Sequence, residues 1–126
     1  MNFRHVQAPT AVVMVRPHRF RVNSETLADN AFQSLVDLTL SDDRIAAMAR
    51  DEFDGCVEAL TGAGVTVHVF DDFGQLDTPD SVFPNNWFST HHGGRIAIYP
   101  MFAPNRRRER RADVIELLKS TTGCKR

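Results

Sequence analysis

The segment Thr78-Pro79-Asp80-Ser81-Val82-Phe83-Pro84-Asn85-Asn86-Trp87-Phe88 brings one acid, two amides and three aromatics into eleven positions. Asp80 can accept from an ammonium or guanidinium group, while Asn85 and Asn86 can each donate and accept. Further on, Arg106-Arg107-Arg108-Glu109-Arg110-Arg111 sets five arginines in six positions. A guanidinium grips a carboxylate through two parallel bonds and also pairs with phosphate. Both segments have a plainer reading. Asp, Asn and Pro build turns by bonding their own backbone and by fixing φ. The arginines could be a solvated face, a phosphate-contacting strip, or partners of acidic neighbours or a bound anion. No aromatics interleave them and no nucleic-acid module surrounds them, which weighs against nucleic acid as a partner. They also open an expected helix, where positive charge opposes the dipole, and that placement favours an anion or acidic neighbours.

The other reactive side chains offer less. Cys56 and Cys124 are far apart without CxxC spacing, so neither a disulfide framework nor a zinc site is read from them. Cys56 falls on the apolar face of an expected helix and reads as a small core residue, and Cys124 as a tail residue without a fixed activating base. His91 and His92 fall in a turn, His68 in a strand, and His5 and His18 in loops without acidic partners at ligand spacing. No catalytic residue, metal or cofactor is assigned.

The elements that must hold these groups follow from periodicity. Thr10–Arg16 is a β-branched apolar run stopped by Pro17 and reads as a strand buried on both faces. Ser24 can cap a short helical turn through Gln33. Ser41, Asp42 and Asp43 supply a cap and first-turn charge for a helix. Ile45, Met48, Ala49, Phe53, Cys56, Val57 and Leu60 give it one apolar face, and Gly62 and Gly64 end it. Val65–Phe70 alternates as a strand. Trp87–Thr90 and Arg95–Tyr99 flank a turn at His91-His92-Gly93-Gly94. Asn105 can cap a last helix over Arg106–Lys119, and 120–126 has no periodicity. Strand, helix and strand in that order predict an α/β architecture, with ligand groups in loops at strand ends.

Composition narrows the classes. The chain has 126 residues, which suits one domain. Its 42% hydrophobic and 25% charged residues suit a buried core. A net charge of −1 argues against a surface committed wholly to polyanions. The longest apolar run, Ala11–Val15, is far too short to span a membrane. Met1–Pro9 lacks a signal-peptide core, so a cytoplasmic location is expected.

Pro79-Asp80-Ser81-Val82-Phe83-Pro84-Asn85-Asn86-Trp87-Phe88-Ser89-Thr90-His91, followed by Ala103-Pro104-Asn105 and the arginine run to Arg111, resembles the guanidino-group-modifying (amidinotransferase/arginine deiminase) superfamily. The nearest likeness is to the arginine-deiminase-related citrulline-utilisation hydrolases. A more distant one is to dimethylarginine dimethylaminohydrolase, whose loop has the form Pro-Asp-x-x-Phe-x-Glu-Asp. The likeness covers Thr10 to Lys119, so 1–119 reads as the matching domain and 120–126 as a non-matching tail.

The resemblance implies a pentein fold, a five-fold α/β propeller of short mixed sheets, of which this chain would hold about the first two modules. It implies that Asp80 helps hold the amino-acid end of a small guanidino or ureido substrate and that Arg106 or Arg107 grips its carboxylate. Asn85 and Asn86 stand where the dimethylarginine enzymes have Glu and Asp, a departure that suits a neutral ureido group better than a cation. It also implies a cysteine nucleophile and a histidine acid–base beyond the matched region. The expectation is therefore an amino-terminal substrate-binding portion of such a hydrolase, inactive alone, the alternative being a non-catalytic ligand-binding module. Two modules of a closed ring leave apolar edges, so self-association is expected. Sedimentation velocity with a thermal melt tests this: association or a broad transition is expected, and a monomer with a cooperative transition contradicts it.

Overall fold

Three valines in Thr10–Val15 favour extended backbone, because branching at Cβ crowds a helix and packs well on a pleated surface. In the structure, a computed structural model that describes residues 8–26 and 40–122, they lie in β1, Ala11–Pro17. A helix, α1 (Asp42–Gly62), leads to β2 (Thr66–Asp72), which pairs parallel with β1 from Ala11↔Thr66 to Pro17↔Asp72. His18 N donates to Asp72 O (2.9 Å) and Thr66 N to Thr10 O (2.9 Å), extending the ladder at both ends. The turn expected from Ser24 through Gln33 begins at 24–26 and otherwise lies outside the described residues.

The ends of α1 follow its capping chemistry. The Ser41 side chain accepts from Arg44 N (3.3 Å), and Asp42 and Asp43 occupy the first turn. Gly62 stays helical, and the chain leaves through Gly64 at φ 87°. Of the expected apolar face only Phe53 is buried, together with Ala46 from outside it, and Met48 is 48% exposed. Cys56, read from the sequence as a core residue, is exposed. The reason is helical phase: at about 3.6 residues per turn the side facing the sheet centres on Ala46 and Phe53, with Val57 and Leu60 half-buried beside them, and Met48 and Cys56 are turned away from it.

After a turn-rich stretch and a 3-10 turn at Pro84–Asn86, β3 (Phe88–His91) and β4 (Arg95–Ile98) form an antiparallel hairpin. His91 belongs to β3 opposite Arg95, so the turn is His92-Gly93-Gly94, with both glycines at positive φ. Among the described residues, each sheet has two strands. The molecule is thus a mixed α/β fold with short sheets.

The expected helix over Arg106–Lys119 is two pieces. The short α2 (Pro104–Arg107) stops, and α3 begins at Ala112 and continues past Lys119 to Thr122. Asn105 does not cap a helix; it is buried inside α2. Five cations in the first turns of one helix would oppose its dipole and one another. The break releases them, and Asp113 Oδ1 accepts from Val114 N (2.9 Å) in the first turn of α3 instead.

Trp87, Val114 and Leu118 form the core, with Val13, Phe70, Phe88, Ile96, Met101 and Ile115 packed around them. Trp87 is 1% exposed and meets Phe88 edge-on at 4.6 Å. The cluster joins both sheets to α3. Trp87→Ala is expected to lower stability by about 3–5 kcal/mol in denaturant unfolding; a loss below about 1 kcal/mol would contradict this placement.

Candidate functional site

The loop after β2 is fixed before it presents anything. Asp72 Oδ2 accepts from the hydroxyls of Thr78 and Ser81, and its Oδ1 from Gly74 N. Turns from Ser81 N to Thr78 O (3.2 Å) and Phe83 N to Asp80 O (3.1 Å) carry the chain through Asp80. These bonds turn Asp80 inward, where it is 4% exposed. Its Oδ2 accepts from Asn23 Nδ2 at 2.8 Å, while its Oδ1 is buried with no partner among the described residues. A buried carboxylate oxygen without a donor is costly, so it marks a place where a ligand or water would bond.

Asn23, from the loop after β1, also exchanges bonds with Asn105: Nδ2 to Asn105 Oδ1 at 3.1 Å, and Asn105 Nδ2 to Asn23 Oδ1 at 2.8 Å. Asn105 N donates to Glu25 Oε2 (3.0 Å). Two loops and α2 are thereby tied together.

Arg106 closes the cluster. Its Nε and Nη2 donate to Glu109 Oε2 (2.8 Å) and Oε1 (3.0 Å), a bidentate pair. Its Nη1 donates to Asn86 Oδ1 (3.0 Å), and its Nε lies 3.9 Å from Asp80 Oδ2. Burial pushes the Glu109 carboxyl above the usual carboxylate range, against the hydrogen bond and charge of Arg106. Two acids share one buried cation here, so the cluster is suited to receive a further positive group.

The residues singled out from the sequence therefore divide. Asp80, Asn86 and Arg106 come together. Asn85 lies on the other side of the loop, lining a cavity of 640 Å³ with Val12, Val13, Val82, Phe88 and Leu118. Arg107 turns outward and donates to Met101 O and Phe102 O (both 2.9 Å). Asn23, Asn105 and Glu109 join the site without having been picked out. Glu109, three residues beyond Arg106, had a readable signal in that spacing; Asn23 had none. A second cavity of 320 Å³ reaches the cluster through Glu109, lined also by Val15, Asp72, Thr78, Ser81 and Arg108. No group of three or more His, Cys, Asp or Glu among the described residues could hold a metal ion, and no described helix is long and apolar enough to cross a membrane.

An α/β chain that clusters an acid, an amide and an arginine at its strand ends has the makings of a site for a small polar molecule. Comparison with family models names the class: residues 16–125 match the family described as N,N dimethylarginine dimethylhydrolase, eukaryotic, and the chain belongs to that family. Neither the curated proteins nor the solved structures contain a match. The family lies within the guanidino-modifying superfamily that the two motifs indicate, and its members are hydrolases of C–N bonds acting on small guanidino substrates. It is the family of the more distant of the two likenesses expected from the sequence.

Because the folded chain holds the Glu109 proton more tightly than the unfolded chain does, Glu109 favours folding at acid pH. That contribution is lost as pH rises through its folded value. The stability of the wild type minus that of Glu109→Gln is therefore expected to fall as pH rises above the ordinary glutamate range, by chemical denaturation. A difference that is flat or rises with pH contradicts the assignment.

Proposed function

We propose that this chain forms the substrate-holding part of a guanidino-family hydrolase and takes a citrulline-like amino acid. Asp80 receives the ammonium group and Arg106 the carboxylate, and Asn86 is the amide that stands beside them; Asn85, which lines the separate cavity, and Arg107, which is held by the Met101 and Phe102 carbonyls, do not reach the same ligand. The observation that carries the reading is the buried, unpartnered Asp80 Oδ1 within one cluster with Arg106. The family match supplies the substrate class. Amides in place of carboxylates favour a ureido over a guanidinium end, because an amide offers complementary donors and acceptors but no neutralising charge. Arg106 already donates to Asn86, so a ligand carboxylate would share or displace that bond.

In this reading the parallel β1–β2 pair and the β3–β4 hairpin belong to about two modules of a pentein propeller. Binding, and not bond cleavage, is assigned to the residues of this chain. The bonds of the arginine run favour internal pairing over a nucleic-acid role: Arg107, Arg108, Arg110 and Arg111 each donate to backbone carbonyls.

Titration calorimetry of the full chain with citrulline, arginine and dimethylarginine tests the reading, with ammonia and dimethylamine followed in the same samples. Citrulline is expected to bind more tightly than either guanidino compound, without release of amine. Arg106→Ala is expected to weaken it by about tenfold or more. No binding, or tighter binding of arginine, contradicts the substrate; amine release contradicts the restriction to binding.

A further inference from the structure

Asn23 is fully buried, with 0% exposure, and each of its hydrogen-bonding positions is filled. The two amide hydrogens go to Asp80 Oδ2 (2.8 Å) and Asn105 Oδ1 (3.1 Å). The amide oxygen accepts from Asn105 Nδ2 (2.8 Å) and Glu25 N (3.1 Å). A side-chain amide has two donor hydrogens and two acceptor lone pairs, so nothing is left over. Rotating the amide by half a turn would set its oxygen against the Asp80 carboxylate and the Asn105 oxygen, and would break all four bonds. The orientation is therefore locked, by Asn105 together with the backbone N–H of Glu25, which cannot turn.

Asp80, in contrast, is held on one side only. Its Oδ2 is fixed by Asn23, and its buried Oδ1 has no partner among the described residues. Arg106 does not fix it, since its Nε stands 3.9 Å from Oδ2 and is engaged at 2.8 Å by Glu109. The direction in which Oδ1 points thus depends on Asn23 more than on any other side chain bonded to this carboxylate.

We propose that Asn23, locked by its reciprocal amide pair with Asn105, is a positioning residue that aims the free Asp80 oxygen at the ammonium group of the substrate. This rests on the reading that Asp80 receives that group. Asn23 never touches the ligand. Its effect passes through Asp80, so it is confined to ligands that carry an ammonium group.

The experiment compares binding of citrulline and of 5-ureidopentanoate, the same molecule without its α-ammonium, to the full chain and its variants. In the wild type, citrulline binds more tightly than 5-ureidopentanoate. Asn23→Ala weakens citrulline roughly tenfold and leaves 5-ureidopentanoate within about twofold. In an Asp80→Ala background it causes no further loss. Asn105→Ala, which keeps Asn23 but removes part of its lock, shows the same selectivity with a smaller loss and serves if Asn23→Ala does not fold. A merely structural role would weaken both ligands alike, and that result overturns the inference, as does an unchanged citrulline affinity in both variants. A wild type that binds neither ligand overturns the underlying reading, and this inference with it.

Discussion

Among the described residues, Arg106 is the cation that Asp80 and Glu109 share away from water. Its side chain is 14% exposed, and those of the two acids are 5% and 0%. Taking such groups out of water costs several kcal/mol per ion, which attraction recovers only when the remaining donors and acceptors are also matched. The surroundings do most of that matching: Glu109 takes two N–H groups of Arg106, Asn86 a third, and Asn23 one oxygen of Asp80. The other Asp80 oxygen stays unmatched. The cluster therefore holds the loops together and keeps one buried acceptor in reserve.

The rest of the arginine run extends that arrangement outward. Arg108 donates to Leu76 O and Asp77 O, and Arg111 to Asp71 O, so the segment after α2 is fastened to the end of β2 and its loop. Arg111 also lies 5.4 Å from the Phe70 ring, joining the polar fastening to the Trp87 core. Arg21 pairs with Asp77, which sits at φ 52°, drawing in the loop that carries Asn23. A left-handed aspartate is tolerated because its neighbours over-determine it. Loops from distant parts of the sequence are thus held in register around one buried carboxylate.

Local chemistry made part of this legible. Valine content, the Ser41 cap and Gly64 located β1 and α1, and the paired glycines located the hairpin. They failed where distant pairing overrides local preference. Arg106–Lys119 has helical periodicity, yet Arg108 and Arg111 reach carbonyls 32 and 40 residues away and the helix breaks between Arg107 and Ala112. Asn105 looked like a cap because asparagine before a helix usually is one. Its partner Asn23 lies 82 residues away, and Asn23 lies 57 residues from Asp80. No spacing rule reaches that far. Cys56 is exposed because the sheet meets the side of the helix centred on Ala46 and Phe53, at one edge of the broad apolar stripe, and the stripe alone does not say which edge is covered.

The central claim is that the Asp80–Arg106 cluster is the place where an amino-acid ligand binds. Nitrogen-15 NMR of the full chain, observing the Arg106 Nε–H and the side-chain amides of Asn23 and Asn105 while citrulline is added, tests it most directly. The account predicts slowly exchanging signals for all three groups before addition, and saturable shifts of them on titration. Saturable shifts confined to the hairpin or to α1, with these three signals unmoved, would contradict it.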